Sequence, residues 1–141
     1  MDFNHNCMKY LLKYVVALFV VFLTSCSSTA QESRSIAKDV DVIEFKQIIE
    51  QKDSLQILDV RTPKEWSSGI IENADTINWN DKDFDKKVVS RNRKLPVVVY
   101  CAVGGRSGRA MKKMHKLGFL EVYNLSGGMK AWKKAGNKII K

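Results

Sequence analysis

Pro96-Val97-Val98-Val99-Tyr100-Cys101-Ala102-Val103-Gly104-Gly105-Arg106-Ser107 is the stretch that decides how this chain reads. The β-branched and aromatic run ending at Tyr100 suits a strand buried on both faces, the kind found in parallel sheets covered by helices. From Ser107 onward, Ala110, Met111, Met114 and Leu117 recur at helical spacing, so the strand passes through a glycine-containing loop into a helix. Cys101 therefore stands where a strand ends. Ligands of open α/β sheets collect at that edge, and a helix entered from such a loop turns unpaired N–H groups and its positive end toward whatever occupies it. Those donors favour thiolate over thiol and stabilise an anion. The alternative is an inert cysteine closing a core strand. Gly104, Gly105 and Gly108 argue against it, because they permit positive φ and close backbone approach to a ligand.

The same alternation extends on both sides of this stretch. Val40 closes a short first strand, Asp41-Val42-Ile43-Glu44 fits a variant capping box, and Phe45, Ile48 and Ile49 form one helical face. Leu55 to Val60 reads as a buried strand. Thr62 as N-cap, Pro63 at N1 and Glu65 at N3 open a short helix that Gly69 ends. Ala74 to Ile77 suits a brief strand, and Asp81 to Val89 a weaker helix with Phe84 and Val88 inward. Val122 to Leu125 is a last strand, and Gly127-Gly128 leads into a helix carrying Met129 and Trp132. The expected fold is α/β, three-layered, with a mainly parallel β-sheet flanked by helices on both faces.

The chain has 141 residues, 45% hydrophobic and 28% charged, which suits one domain with a real core. Its start differs from the rest. Lys9 and Lys13 precede an apolar stretch from Tyr14 to Leu23, too short for a comfortable span of roughly 20 residues. Leu23-Thr24-Ser25-Cys26 resembles the lipobox of bacterial lipoproteins. This implies a signal peptide over residues 1–25, lipid on the Cys26 sulfur and a flexible Ser/Thr/Gln-rich tether to residue 35. The domain then occupies residues 36–141, lipid-anchored to the bacterial cell envelope and facing the periplasm. An uncleaved anchor helix is the alternative. Of the three cysteines, Cys7 leaves with the signal and Cys26 is blocked, so Cys101 is the free thiol. An unpaired thiol in a disulfide-forming compartment is more often used than tolerated. No Cys-x-x-Cys pair occurs, and His5 and His115 stand apart, so neither a dithiol enzyme nor a metal cluster is expected, and no cofactor.

The chain's formal charge of +9 falls to +8 when Asp2, Lys9 and Lys13 leave with the signal, and can steer small anions or hold the domain near anionic lipid. Lys112-Lys113, Lys116 and Lys133-Lys134 read first as solvated helix faces. Nothing resembles a nucleic-acid motif.

Three segments together resemble the rhodanese-like domain family. Cys101 to Ser107 matches its C-x-x-G-x-R-S loop, Asp59-Val60-Arg61-Thr62-Pro63-Lys64-Glu65-Trp66 its D-V-R-x-x-x-E-[FYW] segment, and Leu125 to Trp132 its L-x-G-G-x-x-x-W segment. The family's frequent G-H-I-x-G-A appears as Gly69-Ile70-Ile71-Glu72-Asn73-Ala74, without the histidine. The resemblance implies a sulfurtransferase in which Cys101 takes sulfur from thiosulfate or a persulfide and passes it to a thiol or cyanide. It implies that backbone groups of Ala102, Val103, Gly104, Gly105 and Ser107 cradle the sulfur. Arg106 becomes an electrostatic partner, Asp59 a structural support, and Arg61 either a substrate contact or a structural ion pair, while Trp66 and Trp132 belong to the core. Two rivals remain: a non-catalytic binding lipoprotein on the same fold, and a Cys-dependent phosphatase or arsenate reductase of the Cys-x5-Arg type. Cys101 to Arg106 is Cys-x4-Arg, which suits the smaller sulfur atom.

Overall fold

A computed structural model describes residues 35–141; the expected signal peptide, Cys26 and all but the end of the tether lie outside the described residues. Five strands alternate with five helices: β1 (Ile36–Val40), α1 (Val42–Gln51), β2 (Gln56–Asp59), α2 (Pro63–Trp66), β3 (Ala74–Thr76), α3 (Phe84–Val89), β4 (Val97–Tyr100), α4 (Gly105–Lys116), β5 (Glu121–Leu125) and α5 (Gly128–Lys134). The strand order is β1-β5-β4-β2-β3, and every strand pairing is parallel. The expected three-layer α/β architecture is the one observed.

Successive side chains of a strand point to opposite faces, and β4 shows what that does. Val97, Val99 and then Cys101 pack with Phe84 and Val88 of α3 and Ala110, Met111 and Met114 of α4. Val98 and Tyr100 pack on the other face with Phe45 of α1 and Met129 and Trp132 of α5. All four residues of β4 are buried. Burying a large apolar side chain contributes about 1.5 to 3 kcal/mol, so this central strand anchors both layers.

Local signals set the helix ends. Asp41 accepts the Glu44 N–H at 2.8 Å as the N-cap of α1. The backbone N–H and hydroxyl of Thr62 both donate to Glu65 Oε2, at 3.0 and 2.7 Å, at the start of α2. Helix α4 begins at Gly105, two residues earlier than the apolar spacing suggests, because Gly104 takes the left-handed φ of 93° as N-cap and turns the chain at once. Helix α3 begins late, at Phe84, since Asn78 and Asp81 form a side-chain-bonded turn (2.7 Å) ahead of it. Asp59 pairs in register with Tyr100, so the segments after β2 and β4 leave the sheet side by side.

Candidate active site

Cys101 immediately follows β4 and is 1% exposed. Its Sγ accepts the Gly104 N–H at 3.1 Å. Burial pushes the thiol pKa up, but the Ser107 hydroxyl and the N–H groups of Ser107, Val103 and Gly104 outweigh it, and the net shift is downward. The Ser107 hydroxyl is shared, since it also donates to the Gly104 carbonyl at 3.2 Å. Removing it by Ser107→Ala takes a donor from the thiolate and raises the Cys101 pKa. Iodoacetamide alkylation of this variant is expected to need a higher pH for its half-maximal rate, with the same plateau at high pH; an unmoved midpoint assigns the shift to the backbone alone.

Helix α5 shapes the loop from below. Its first N–H groups are unpaired within the helix, and those of Met129 and Lys130 donate to the carbonyls of Cys101 (2.8 Å) and Ala102 (3.0 Å). With its carbonyls drawn toward α5, the loop leaves its own N–H groups for the sulfur. Gly128 makes that seat possible: a Cβ there would stand 2.4 Å from the Cys101 carbonyl oxygen. The Gly104 carbonyl is fixed by the Gly108 N–H at 2.9 Å and by Asn124 Nδ2 at 3.3 Å. Asn124, 3% exposed on β5, also donates to Asp39 Oδ1 at 2.6 Å. Sequence reasoning missed this residue. Its signal was an amide inside the apolar run Val122 to Leu125, where a polar side chain needs a reason.

Arg106 reaches α2 rather than standing open. Its two terminal nitrogens donate to Glu65 Oε2 at 2.8 Å and Oε1 at 2.6 Å. Glu65 first, and the neighbouring Cys101 to a smaller degree, hold the guanidinium charged. Reciprocally, Arg106, with Thr62, lowers the Glu65 carboxyl from an ordinary 4.5 to about 2 against the opposing effect of burial. A lowered folded pKa contributes stability that is complete above 4.5 and lost as pH falls toward 2. Acid melting curves are therefore expected to fall more steeply across that window for the native chain than for Glu65→Gln; parallel curves contradict the linkage.

Lysine cannot reproduce the planar two-bond fork, so Arg106→Lys is expected to keep the fold while loosening the first turn of α4. Charge-assisted hydrogen bonds contribute roughly 1.5 to 3 kcal/mol, or about a tenfold to hundredfold loss in kcat/KM if the bond is needed in the transition state. Circular dichroism and Tm serve as controls. Full efficiency at both low and high salt makes Arg106 a bystander.

Asp59 and Arg61 form a buried pair beside the loop. Arg61 Nε lies 2.9 Å from both Asp59 oxygens, and its Nη2 donates to Asp59 Oδ2 at 2.6 Å and to the Gly69 carbonyl at 2.7 Å. Of the two roles left open for Arg61, substrate contact and structural ion pair, the geometry displays the ion pair, with the guanidinium 2% exposed and turned into the interior. The segment lacking the family's histidine is held from the chain's far end. Ile70 and Ile140 exchange two backbone hydrogen bonds at 2.8 Å, and Ile139 packs over Gly69. Trp132 is core, edge-on to Phe45 at 5.9 Å with Nε1 donating to the Lys138 carbonyl at 3.0 Å; Trp66 is half-buried in α2. Ala102, Val103, Gly105 and Ser107 all lie on the loop or the first turn of α4. Gly105 and Gly108 do not take the positive φ that the sequence suggested; only Gly104 of the three does. Among the described residues there is no cluster of ligands for a metal.

Around this cysteine at a parallel strand's carboxyl end, the family model of the rhodanese-like domain matches residues 41–135. The chain belongs to this family. It is 33% identical over 98 residues to the thiosulfate sulfurtransferase GlpE of Shewanella oneidensis, covering 70% of this chain and 94% of that one. It is 32% identical over 125 residues to the uncharacterized protein YqhL of Bacillus subtilis, covering 89% and 93%. The crystal structure of a rhodanese-like domain protein from Staphylococcus aureus superposes with a TM-score of 0.62 at 30% identity, over 74% of this chain and 99% of that one. A sulfurtransferase-type function is the general reading these relatives support.

Proposed function

We propose that the protein is a sulfurtransferase that carries sulfane sulfur as a persulfide on Cys101. The Cys101 thiolate attacks the outer sulfur of thiosulfate; the new S–S bond forms as the old one breaks, and sulfite leaves with the electron pair. A persulfide donor reacts likewise, with its thiolate leaving. An acceptor thiolate or cyanide then attacks the outer sulfur and regenerates the Cys101 thiolate. Two half-reactions through one covalent intermediate predict ping-pong kinetics. Donors fixed before the reaction stabilise the charge that forms on sulfur.

The observation that carries this reading is the convergence of the Gly104 N–H and Ser107 on a buried Sγ whose pKa is lowered. Mass spectrometry after thiosulfate treatment is expected to show one added sulfur on the peptide containing Cys101, and an unmodified peptide overturns the reading. The phosphatase alternative is disfavoured by the loop itself, since Cys101 to Arg106 is Cys-x4-Arg, one residue shorter than the Cys-x5-Arg loop that encloses a tetrahedral oxyanion. A binding module without turnover would load no sulfur in the same experiment.

The N-terminal reading also enters here as a proposal. Leu23-Thr24-Ser25-Cys26 supports lipid attachment at Cys26, which would hold the domain at the bacterial cell envelope, facing the periplasm. Metabolic labelling with a palmitate analogue, lost in Cys26→Ser, tests it.

A further inference from the structure

We infer that the sulfur acceptor is a thiol on an acidic protein surface or peptide, docked on the tip of the Cys101 loop and the cationic rim around it; this rests on the sulfurtransferase reading above. The tip is apolar and outside the core. Val103, two residues from Cys101, is 63% exposed, and the other exposed large hydrophobics among the described residues are Ile36 and Ile43, on β1 and α1. A small anion such as thiosulfate has no use for that side chain.

Around it, the segments that leave the carboxyl edge of the sheet carry exposed cations. Lys64 lies on α2 after β2, Arg109 on α4 after β4, and Lys130 on α5 after β5. Lys130 is adjacent to the loop, since its backbone N–H holds the Ala102 carbonyl. Arg109 follows one turn after Gly105, where an added Cβ would meet nothing within 4 Å, and its guanidinium sits over the Trp79 ring at 6.0 Å. Among the described residues none of these three cations forms an ion pair, whereas the carboxylates nearby have partners, Asp39 the neutral Asn124 amide among them. Glu65 is bound to Arg106, Asp59 to Arg61, Asp81 and Asp83 to Lys87, and Asp41 caps α1. Three free cations on three elements around an apolar tip complement a surface that brings several carboxylates at once. Rim charges of this kind act mainly through the association rate and weaken with salt.

The test uses the full chain in non-ionic detergent, preloaded from thiosulfate and freed of excess donor. Single-turnover discharge is measured with three acceptors: uncharged 2-mercaptoethanol, a hexapeptide with its cysteine flanked by glutamates, and the same peptide with lysines. Glutamates raise the thiol pKa and so slow the acidic peptide intrinsically; any preference for it reports docking. The acidic peptide is expected to discharge sulfur at least tenfold faster at low ionic strength, with the advantage gone at high salt. Lys64→Glu with Arg109→Glu is expected to reverse the preference while leaving 2-mercaptoethanol discharge unchanged. Equal rates for the two peptides, or a preference untouched by the double variant, overturn the inference. Flat peptide rates together with binding to phosphatidylglycerol vesicles that the double variant loses would assign the face to anionic lipid and also overturn it. If thiosulfate loads no sulfur, or 2-mercaptoethanol discharges none, the sulfurtransferase reading itself fails.

Discussion

Cys101→Ser is expected to abolish the proposed thiosulfate:cyanide sulfur transfer while leaving a folded protein. The substitution exchanges one atom at a position that is 1% exposed, and serine oxygen can still accept the Gly104 N–H that now reaches Sγ at 3.1 Å. The stability cost is therefore small beside that of a buried hydroxyl with no partner, about 1 to 3 kcal/mol. Chemistry is another matter. The donors around the loop lower the thiol pKa and so favour the thiolate, whereas an alcohol stays protonated and cannot hold a transferable sulfur as a persulfide. Loss of the nucleophile from such a constellation costs on the order of a thousandfold or more in turnover. Thiocyanate production and the mass of the loop peptide are the two measurements. Undiminished thiocyanate from the serine variant places the reactive group elsewhere; loss of both turnover and circular dichroism signal attributes the effect to folding, and Cys101→Ala then separates the two.

The architecture was legible because each element carries its own local cause. The run Val97 to Tyr100 has no polar residue to assign to a solvent face, so it had to lie between two helical layers, and the two core clusters divide its side chains in alternation. Thr62, Pro63 and Glu65 mark a helix start by caps that depend on neighbours in sequence. The site was only partly legible, because its fine geometry depends on groups that composition does not reveal. Met129 and Lys130 act through backbone N–H groups, which every residue but proline possesses, so their identities say nothing. Asn124 gains its role from β5 lying beside the loop and beside Asp39 of β1, both far away in sequence. Arg61 read equally well as substrate contact or ion pair until burial decided between them. The missing histidine was visible, but its substitute was not: Ile139 and Ile140 return from the chain's end to hold Gly69 and Ile70.

The other large effect is expected at Gly128, which touches no substrate. Gly128→Ala would put a Cβ 2.4 Å from the Cys101 carbonyl oxygen and 2.8 Å from Ala102 C and Val103 N, all of them backbone atoms of the active loop. A flexible side chain could move aside, but a backbone cannot without carrying the loop with it. The φ of 54° adds roughly 1 to 2 kcal/mol for a residue with a Cβ. Relief requires α5 to withdraw from the loop, which stretches the Met129 and Lys130 bonds to the Cys101 and Ala102 carbonyls. Once those carbonyls are free to rotate, the N–H groups behind them no longer point at Sγ. Gly105→Ala is the matched control, because the same methyl there meets nothing within 4 Å, the residue lies in the first turn of α4 at ordinary φ, and its N–H is kept. Alanine replaces glycine in a helix with a gain of up to about 1 kcal/mol. Gly128→Ala is therefore expected to lower Tm, raise the pH midpoint of Cys101 alkylation and reduce kcat/KM by about a hundredfold or more, a loss near 3 kcal/mol. Gly105→Ala should hold all three close to the native values. Equal behaviour of the two variants removes the α5 seat from the account of how this loop stabilises a thiolate.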